Sequence, residues 1–368
     1  MNLTRRQLFH ASAAACAGAS VAAMGSANPR PAEAKASRLM ALDDTAPVPE
    51  GTYGSVLSSM AVLSDTHAYE GEYACANNIG NALNDISQNW YRLDTILLNG
   101  DITDNGYDSQ YDAFAQIAES AGYSFPGSFT CVMGNHEIMG DYTFDFDSFK
   151  NLTATYCRRS GNESPYYERY IGGTHIIVLG PDQYVNPSDA VGCDKFCLSS
   201  AQLAWLSSLL DEDESKGETS FVFIHEPLKN TVADTHAGGW GYDNSIADDA
   251  LHSVIYSHSH TILFSGHNHS YPDVVGQRGG NLFVGTGSVA YAYAAGETYL
   301  TDDGTYDSYG WLVRHHEQAV EFCMRDFLNH EWVEGAHYLQ MSAPSILLLP
   351  PCAGMERQQL CRSCLTPG

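Results

Sequence analysis

Apolar positions along this chain follow two rhythms. Short continuous runs read as strands, and stripes recurring every three or four residues read as helix faces. Residues 56–63 open the series as a strand. Ile79, Leu83, Ile86 and Trp90 then recur at spacings of four, three and four, which is one face of a helix. Residues 95–98 predict a second strand. Tyr111, Phe114, Ile117 and Ala121 predict a second helix, stopped by Gly122. Strands are also predicted at 129–133, 166–171, 176–179, 221–224 and 262–264. Ser199 and Ser200 are placed to cap a helix that buries Leu203, Leu206, Leu209 and Leu210. Residues 282–284, 311–313 and 320–324 come at hairpin-like spacing and suggest a second, more antiparallel sheet. Strands alternating with helices place the chain in the α/β class.

The two ends read differently. Residues 1–34 carry adjacent Arg5 and Arg6, a weakly apolar Ala-rich stretch over 11–27 and the small-x-small site Ala32-Glu33-Ala34. This resembles a twin-arginine export signal and predicts an exported protein (periplasm, cell envelope or extracellular) that meets the twin-arginine export machinery. The plainer alternative is a basic tail. Cys16 is a poor lipid-attachment site, because Ala13-Ala14-Ala15 precede it. Residues 35–55 lack periodicity and read as a linker, leaving 56–326 as the main domain and 327–368 as an unassigned tail. Within the tail, 346–349 is either an edge strand or an irregular end, cut off by Pro350 and Pro351. No run reaches the about 18 apolar residues a bilayer span needs, so no transmembrane span is expected in the mature chain.

Composition narrows the partners. The 368 residues are 44% hydrophobic and 17% charged, with a net charge of -26. So acidic a surface repels nucleic-acid backbones, and no dedicated nucleic-acid binding is expected. A small phosphate ester stays compatible, because bound metal ions invert the local field. Of the ten cysteines, Cys193 and Cys197 are close enough in sequence to pair. Cys361 and Cys364 form one CxxC without a second half, which favours a disulfide or idle thiols over zinc.

Five short motifs carry the chemistry. They are Ser64-Asp65-Thr66-His67, Asn99-Gly100-Asp101-Ile102-Thr103-Asp104, Gly134-Asn135-His136-Glu137, His225-Glu226-Pro227 and Gly266-His267-Asn268-His269. Each follows a predicted strand directly, and the carboxyl edge of an open α/β sheet is where ligands bind. The candidate donors are two Asp, one Asn and four His, seven groups for two ions, so one carboxylate has to bridge. Asp65 and His67, two apart, would share one face of an extended segment, as would His267 and His269. Mixed imidazole and oxygen donors suit Zn, Mn or Fe better than Ca or Mg. Glu137 and Glu226 read as solvated loop carboxylates. His258 and His260 precede their strand and read as solvated, and His315 and His316 as structural.

All five motifs, in this order, resemble those of the calcineurin-like metallophosphoesterase family: D-x-H, G-D-x-x-D, G-N-H-[DE], H and G-H-x-H. They run from residue 65 to residue 269, and Gln202-Leu203-Ala204-Trp205-Leu206 also resembles the family pattern. The resemblance implies a four-layer α/β/β/α sandwich and two divalent or trivalent metal ions. Asp65, His67, Asp101 and His269 would hold one ion, and Asp101, Asn135, His225 and His267 the other. His136 would be the catalytic acid, oriented by Asp104. The implied reaction is hydrolysis of a phosphate ester, foremost a phosphodiester, by a hydroxide shared between ions about 3.5–4 Å apart. The alternatives are an exported phosphomonoesterase and a non-catalytic metal-binding module, which would lack a donor or the acid. Asp104 stands where purple acid phosphatases carry Tyr, and Asp104-Asn105-Gly106 lacks the Arg of the protein phosphatases. A 5′-nucleotidase of this family is not expected, because those members carry a long C-terminal substrate domain and the 368 residues end too early to hold one. Residues 229–244, with His236, Gly238, Gly239, Trp240 and Tyr242, are expected to cover the site. Trp240 and Tyr242 would stack on a base or sugar, or else pack on their own domain.

Overall fold

In a computed structural model of the chain, the described residues are 39–342, except 44–45, 72–73, 91, 142–144, 185–196, 240, 243–244, 247–248, 277–279, 295–296 and 299–305. The expected export signal with Cys16, together with Cys193, Trp240, the run 346–349, Cys361 and Cys364, lies outside them.

In order come β1 (Leu39–Ala41), β2 (Val56–Leu63), α1 (Ala74–Asn89), β3 (Thr95–Asn99), α2 (Asp108–Ser120) and β4 (Phe129–Val132). A 3-10 turn (His136–Ile138) precedes α3 (Phe146–Ser160), β5 (Tyr167–Ile171), β6 (Thr174–Val178), α4 (Ser200–Lys216) and β7 (Ser220–Phe223). Then follow α5 (Asp249–Ser257), β8 (Thr261–Ser265), β9 (Asp273–Gly276), β10 (Leu282–Gly285) and the small pair β11 (Tyr293–Ala294) and β12 (Glu297–Thr298). The last strands are β13 (Tyr309–His316), β14 (Ala319–Asp326) and β15 (Glu331–Met341).

Two mixed sheets result. One runs β1-β15-β14-β13-β2-β3-β4 and the other β5-β6-β7-β8-β10-β9. The period of two in each strand decides the layers. Met60 and Val62 on β2 face Ile176, Phe221, Phe223 and Phe264 in a core between the sheets. Ala61 and Leu63 face the other way and pack with Ile79, Leu83, Tyr111 and Phe114 of α1 and α2. On the far side, Ile177, Val222 and Leu263 pack with Leu203, Leu206 and Ile255 of α4 and α5. This is the expected α/β/β/α order. Ser199 caps α4 by accepting from the Gln202 N–H at 3.1 Å.

Some expectations need correction. Of the late strands, 282–284 does lie in the second sheet, as β10 pairing antiparallel with β9, but 311–313 and 320–324 join the first, β13 pairing antiparallel with β2, so that the edge of β2 is covered. The second sheet is made by the middle of the chain. The sheet also reaches past both expected boundaries of the main domain, because β1 lies in the expected linker and pairs with β15 in the expected tail. Helix α3 went unread because its buried stripe is only Leu152, Tyr156 and Ser160, although Asp145 caps its start and Gly161 (φ 72°) ends it. His258 is buried, with Nδ1 2.7 Å from the Val254 carbonyl and Nε2 3.2 Å from Asp211. His315 and His316 are buried structural residues. Cys75, Cys131 and Cys157 are free thiols.

A buried histidine joins three elements away from the carboxyl edge. His175 on β6 lies 2.8 Å from Asp213 of α4 and 2.8 Å from Glu168 of β5, with the Tyr170 ring stacked on it at 4.6 Å. Burial alone would lower its pKa, but Asp213 and Glu168 outweigh that and raise it above 6.5. A raised folded pKa gives stability that is fully present below pH 6.5 and lost as pH rises through the folded value. The melting-temperature gap between wild type and His175→Gln should therefore be widest below pH 6.5 and narrow as the pH is raised above it. A gap that stays constant would show that His175 is not the linked group.

Candidate metal centre

The five motifs leave the carboxyl ends of both sheets and converge. Asp65 and His67 follow β2, Asp101 follows β3, Asn135 and His136 follow β4, His225 follows β7, and His267 and His269 follow β8. The turns that bring them together are not extended. Asp65 (φ 53°), His67 (φ 44°), Asp101 (φ 50°), His267 (φ 71°) and His269 (φ 52°) all have left-handed backbone. The same-face reading of Asp-x-His on an extended segment is therefore wrong. The chain reverses sharply at each donor, in a region L-residues avoid, and surrounding contacts must hold it there. The Asp65 N–H donates to the Gly100 carbonyl at 3.1 Å, and the His67 N–H to the Asp101 carbonyl at 2.9 Å. At Gly100 and Gly134 a Cβ would strike the His225 ring and the Asp101 carboxylate respectively, so these loops close on the donors because they lack one.

Two groups of buried donor atoms form, and Asp101 belongs to both. One is Asp65, His67, Asp101 and His269, and the other Asp101, His225 and His267. The closest approaches are His269 Nε2 to Asp65 Oδ1 at 3.0 Å, His67 Nε2 to His269 Nε2 at 3.0 Å and His225 Nε2 to Asp101 Oδ2 at 3.1 Å. Asn135 joins the second group through Oδ1, 3.0 Å from His267 Nδ1.

Backbone carbonyls fix the tautomers, since a carbonyl only accepts. His225 Nδ1 donates to the Asn99 carbonyl at 2.8 Å, His269 Nδ1 to the Tyr291 carbonyl at 2.9 Å and His136 Nδ1 to the Asp104 carbonyl at 2.8 Å. In His225 and His269 the Nε2 lone pair is thereby left for the centre. Burial pushes Asp101 up, but His225 and His136 outweigh it and hold the carboxylate well below its usual range. Burial lowers His225, yet Asp101 and Asp65 pull it up to about 10. The pocket thus favours positive charge where Nε2 meets the carboxylates. Imidazole and carboxylate atoms gathered around that point fit a first-row transition metal or zinc pair.

One sequence reading is sharpened here and another is overturned. The hydrogen bond expected between Asp104 and His136 is made by the Asp104 backbone carbonyl. The Asp104 carboxylate lies 3.7 Å from His136 Nδ1 and nearer, at 3.5 Å, to His67 Nδ1. Asp104→Asn should therefore leave the pH profile of turnover in place and weaken metal affinity about 10-fold or more, read by competition with a chelating dye. Glu137 and Glu226 are not solvated, and both are fully buried. Glu137 Oε2 accepts from the N–H groups of Asp101 (2.9 Å) and Gly134 (2.8 Å), and Oε1 from the N–H of Thr103 (2.9 Å). Burial, with Asp101 nearby, raises Glu137 to about 7.

Sequence reading also missed a sixth loop, residues 286–292 after β10. Val289 and Ala290 donate to the carbonyls of Ser64 and Asp65, and the Tyr291 ring lies 4.3 Å from that of His269. No metal-ligand motif marks this loop. The loop from 229 is tied to the fifth motif, with Asn268 Nδ2 donating to the Ala233 carbonyl at 2.7 Å. Its Tyr242 packs under Lys229 Nζ at 4.3 Å, on its own loop, and His236 is exposed.

Comparison with known proteins agrees with the fold. The family model for calcineurin-like phosphoesterases matches residues 59–271. A curated relative, purple acid phosphatase 21 of Arabidopsis thaliana, is 27% identical over 186 residues, which span 49% of this chain and 38% of that protein. In fold the chain is similar to a dimetal phosphatase from Danio rerio (TM-score 0.52, 16% identity, 78% of this chain and all of that one). It is also similar to purple acid phosphatase PPD1 from yellow lupin (TM-score 0.54, 15% identity, 78% and 54%).

Proposed function

This chain belongs to the calcineurin-like phosphoesterase family, whose model covers more than half of it, and from that premise we propose that it hydrolyses a phosphate ester, foremost a phosphodiester, at a dinuclear metal centre. The observation that carries this reading is the membership of Asp101 in both donor groups. Asp65, His67, Asp101 and His269 would hold one ion, and Asp101, Asn135, His225 and His267 the other, with Mn, Fe or Zn as candidates. Bound, such a pair supplies Lewis acidity to the phosphoryl oxygens and makes water acidic enough to attack near neutral pH.

His136 moves the proton. Its Nδ1–H is held by the Asp104 carbonyl, so Nε2 is the atom that would take up a second proton, making the ring an imidazolium, and pass that proton to the departing alkoxide, leaving the ring neutral. The ring is 15% exposed, in contrast to the buried donors around it, and is therefore within reach of substrate. His136→Ala should keep its metals and lose about 10²–10⁴-fold in kcat. A variant with wild-type kcat would remove His136 from this role.

The reaction is tested by chelating the protein, adding back Mn or Zn, and measuring turnover of bis-p-nitrophenyl phosphate against p-nitrophenyl phosphate. Faster diester turnover is expected. Faster monoester turnover would make the protein a phosphomonoesterase, and no turnover with any metal would leave a non-catalytic binding module. With Asp104 at the position where purple acid phosphatases carry Tyr, iron-loaded protein should lack a tyrosinate absorption band. We also propose export through the twin-arginine pathway, supported by Arg5, Arg6 and the Ala-rich stretch after them. Lysine at both arginines should hold the protein in the cytoplasm on fractionation. Among the described residues no helix is long and apolar enough to cross a membrane.

A further inference from the structure

Beside the donors stands a pair of tyrosines that no motif marks. The Tyr291 ring lies 4.3 Å from His269 and 5.4 Å from His67, nearly parallel to the latter at 27°. Tyr306 continues the surface, 5.7 Å from Tyr291. Both tyrosines are partly exposed, whereas the imidazoles behind Tyr291 are buried.

The backbone under this surface is fixed. The Tyr291 N–H donates to Ser288 Oγ at 3.0 Å, and that hydroxyl donates to the Asp65 carbonyl at 3.1 Å. Asn78, buried on α1, donates through Nδ2 to the carbonyls of Ala290 (2.9 Å) and Tyr306 (3.2 Å), tying both tyrosine segments to one side chain. The Ala292 N–H donates to the Asp307 carbonyl at 3.0 Å. A tyrosine whose backbone is tied in this way and whose ring packs on His67 and His269 has little freedom to lose on binding, which is the condition for an efficient stacking surface. Its position against His67 and His269 means that a group esterified to a phosphate at those donors lies within contact of it. A chain of net charge -26 also gains more from recognising a neutral ring than a further anion.

We propose that Tyr291 and Tyr306 form a stacking wall for the organic group of the substrate, and that the substrate is an ester carrying a planar aromatic or heteroaromatic ring. This rests on the proposed phosphoesterase reading. Tyr291 is the specificity-determining residue and Asn78 a positioning residue. The reaction is unchanged: the wall selects which ester presents its phosphorus to the centre.

The test is titration calorimetry of the metal-loaded protein with phenylphosphonate and with methylphosphonate, neither of which is hydrolysed. Wild type should bind the phenyl compound about 5–10-fold more tightly, a ratio typical of one good aromatic contact. Tyr291→Leu should bring the ratio near one while methylphosphonate affinity and metal content hold, and Tyr291→Phe should keep the wild-type ratio. Tyr306→Leu should lower the ratio in part, an arm that stands even where Tyr291→Leu fails to fold. A wild-type ratio of one, or a Tyr291→Leu variant that weakens both ligands equally, overturns the wall. Those results leave the phosphoesterase reading intact if the chromogenic esters are still turned over. Absence of both phosphonate binding and ester turnover removes the reading and the wall together.

Discussion

Glu137→Ala is expected to strip the protein of both metals and lower its melting temperature by roughly 5–10 °C. The side chain touches no substrate, yet one carboxylate collects the N–H groups of Asp101, Thr103 and Gly134. These come from the second and third motifs, and the first of them belongs to the donor shared by both groups. Removing the acceptor leaves three buried donors unpaired, each at a cost of about 1–3 kcal/mol. The second and third motif loops would then lose their common anchor, and left-handed Asp101 would lose the contact that holds it. Glu137→Gln should fall between, because its amide keeps one acceptor oxygen but turns an N–H toward other donors. Thermal denaturation and metal analysis of the three proteins check this. A Glu137→Ala protein that melts with wild type and keeps two metals would show that the knot is not what holds the centre.

Asp101→Ala is expected to lose both ions together and with them all measurable turnover. Its Oδ2 lies 3.1 Å from His225, 3.8 Å from His67 and 3.9 Å from His136, while Oδ1 accepts from the His136 N–H at 2.9 Å. The carboxylate thus serves both donor groups and also seats the loop that carries the acid. Without it each ion would lose an anionic donor, and His225 would lose the foremost of the two carboxylates that raise its pKa. A single-ion donor behaves differently, so His269→Ala should release one ion and keep the other. Elemental analysis of purified variants separates the cases. One retained ion in Asp101→Ala would mean that the two sites do not share that residue.

The strand-end motifs were legible in the sequence because each donor pair follows an apolar run, and the sheet's carboxyl edge gathers whatever follows its strands. The backbone at those donors was not. A period-of-two rule applied to Asp65 and His67 presumes an extended chain, and the left-handed φ values arise from contacts with other loops, such as the Gly100 carbonyl. Glu137 illustrates a related limit. A glutamate in a loop reads as solvated, since its burial depends on N–H groups that reach it from 34 and 36 residues away in sequence. The role of the Asp104 carbonyl is invisible by nature, because any residue carries one. Tyr291 is one of 22 tyrosines, and only its placement against His67 and His269 distinguishes it. Among the strands, β1 is three residues long, and much of β15 is partly or fully exposed, so neither has the apolar run that marks a strand.

Titrating metal-free protein with Mn or Zn, while following bound metal and ester turnover in the same sample, tests the shared centre most directly. Two ions per chain are expected, with turnover rising as the second is bound and staying near zero at the first. Full turnover at one ion per chain, or turnover in the metal-free protein, would contradict the shared centre.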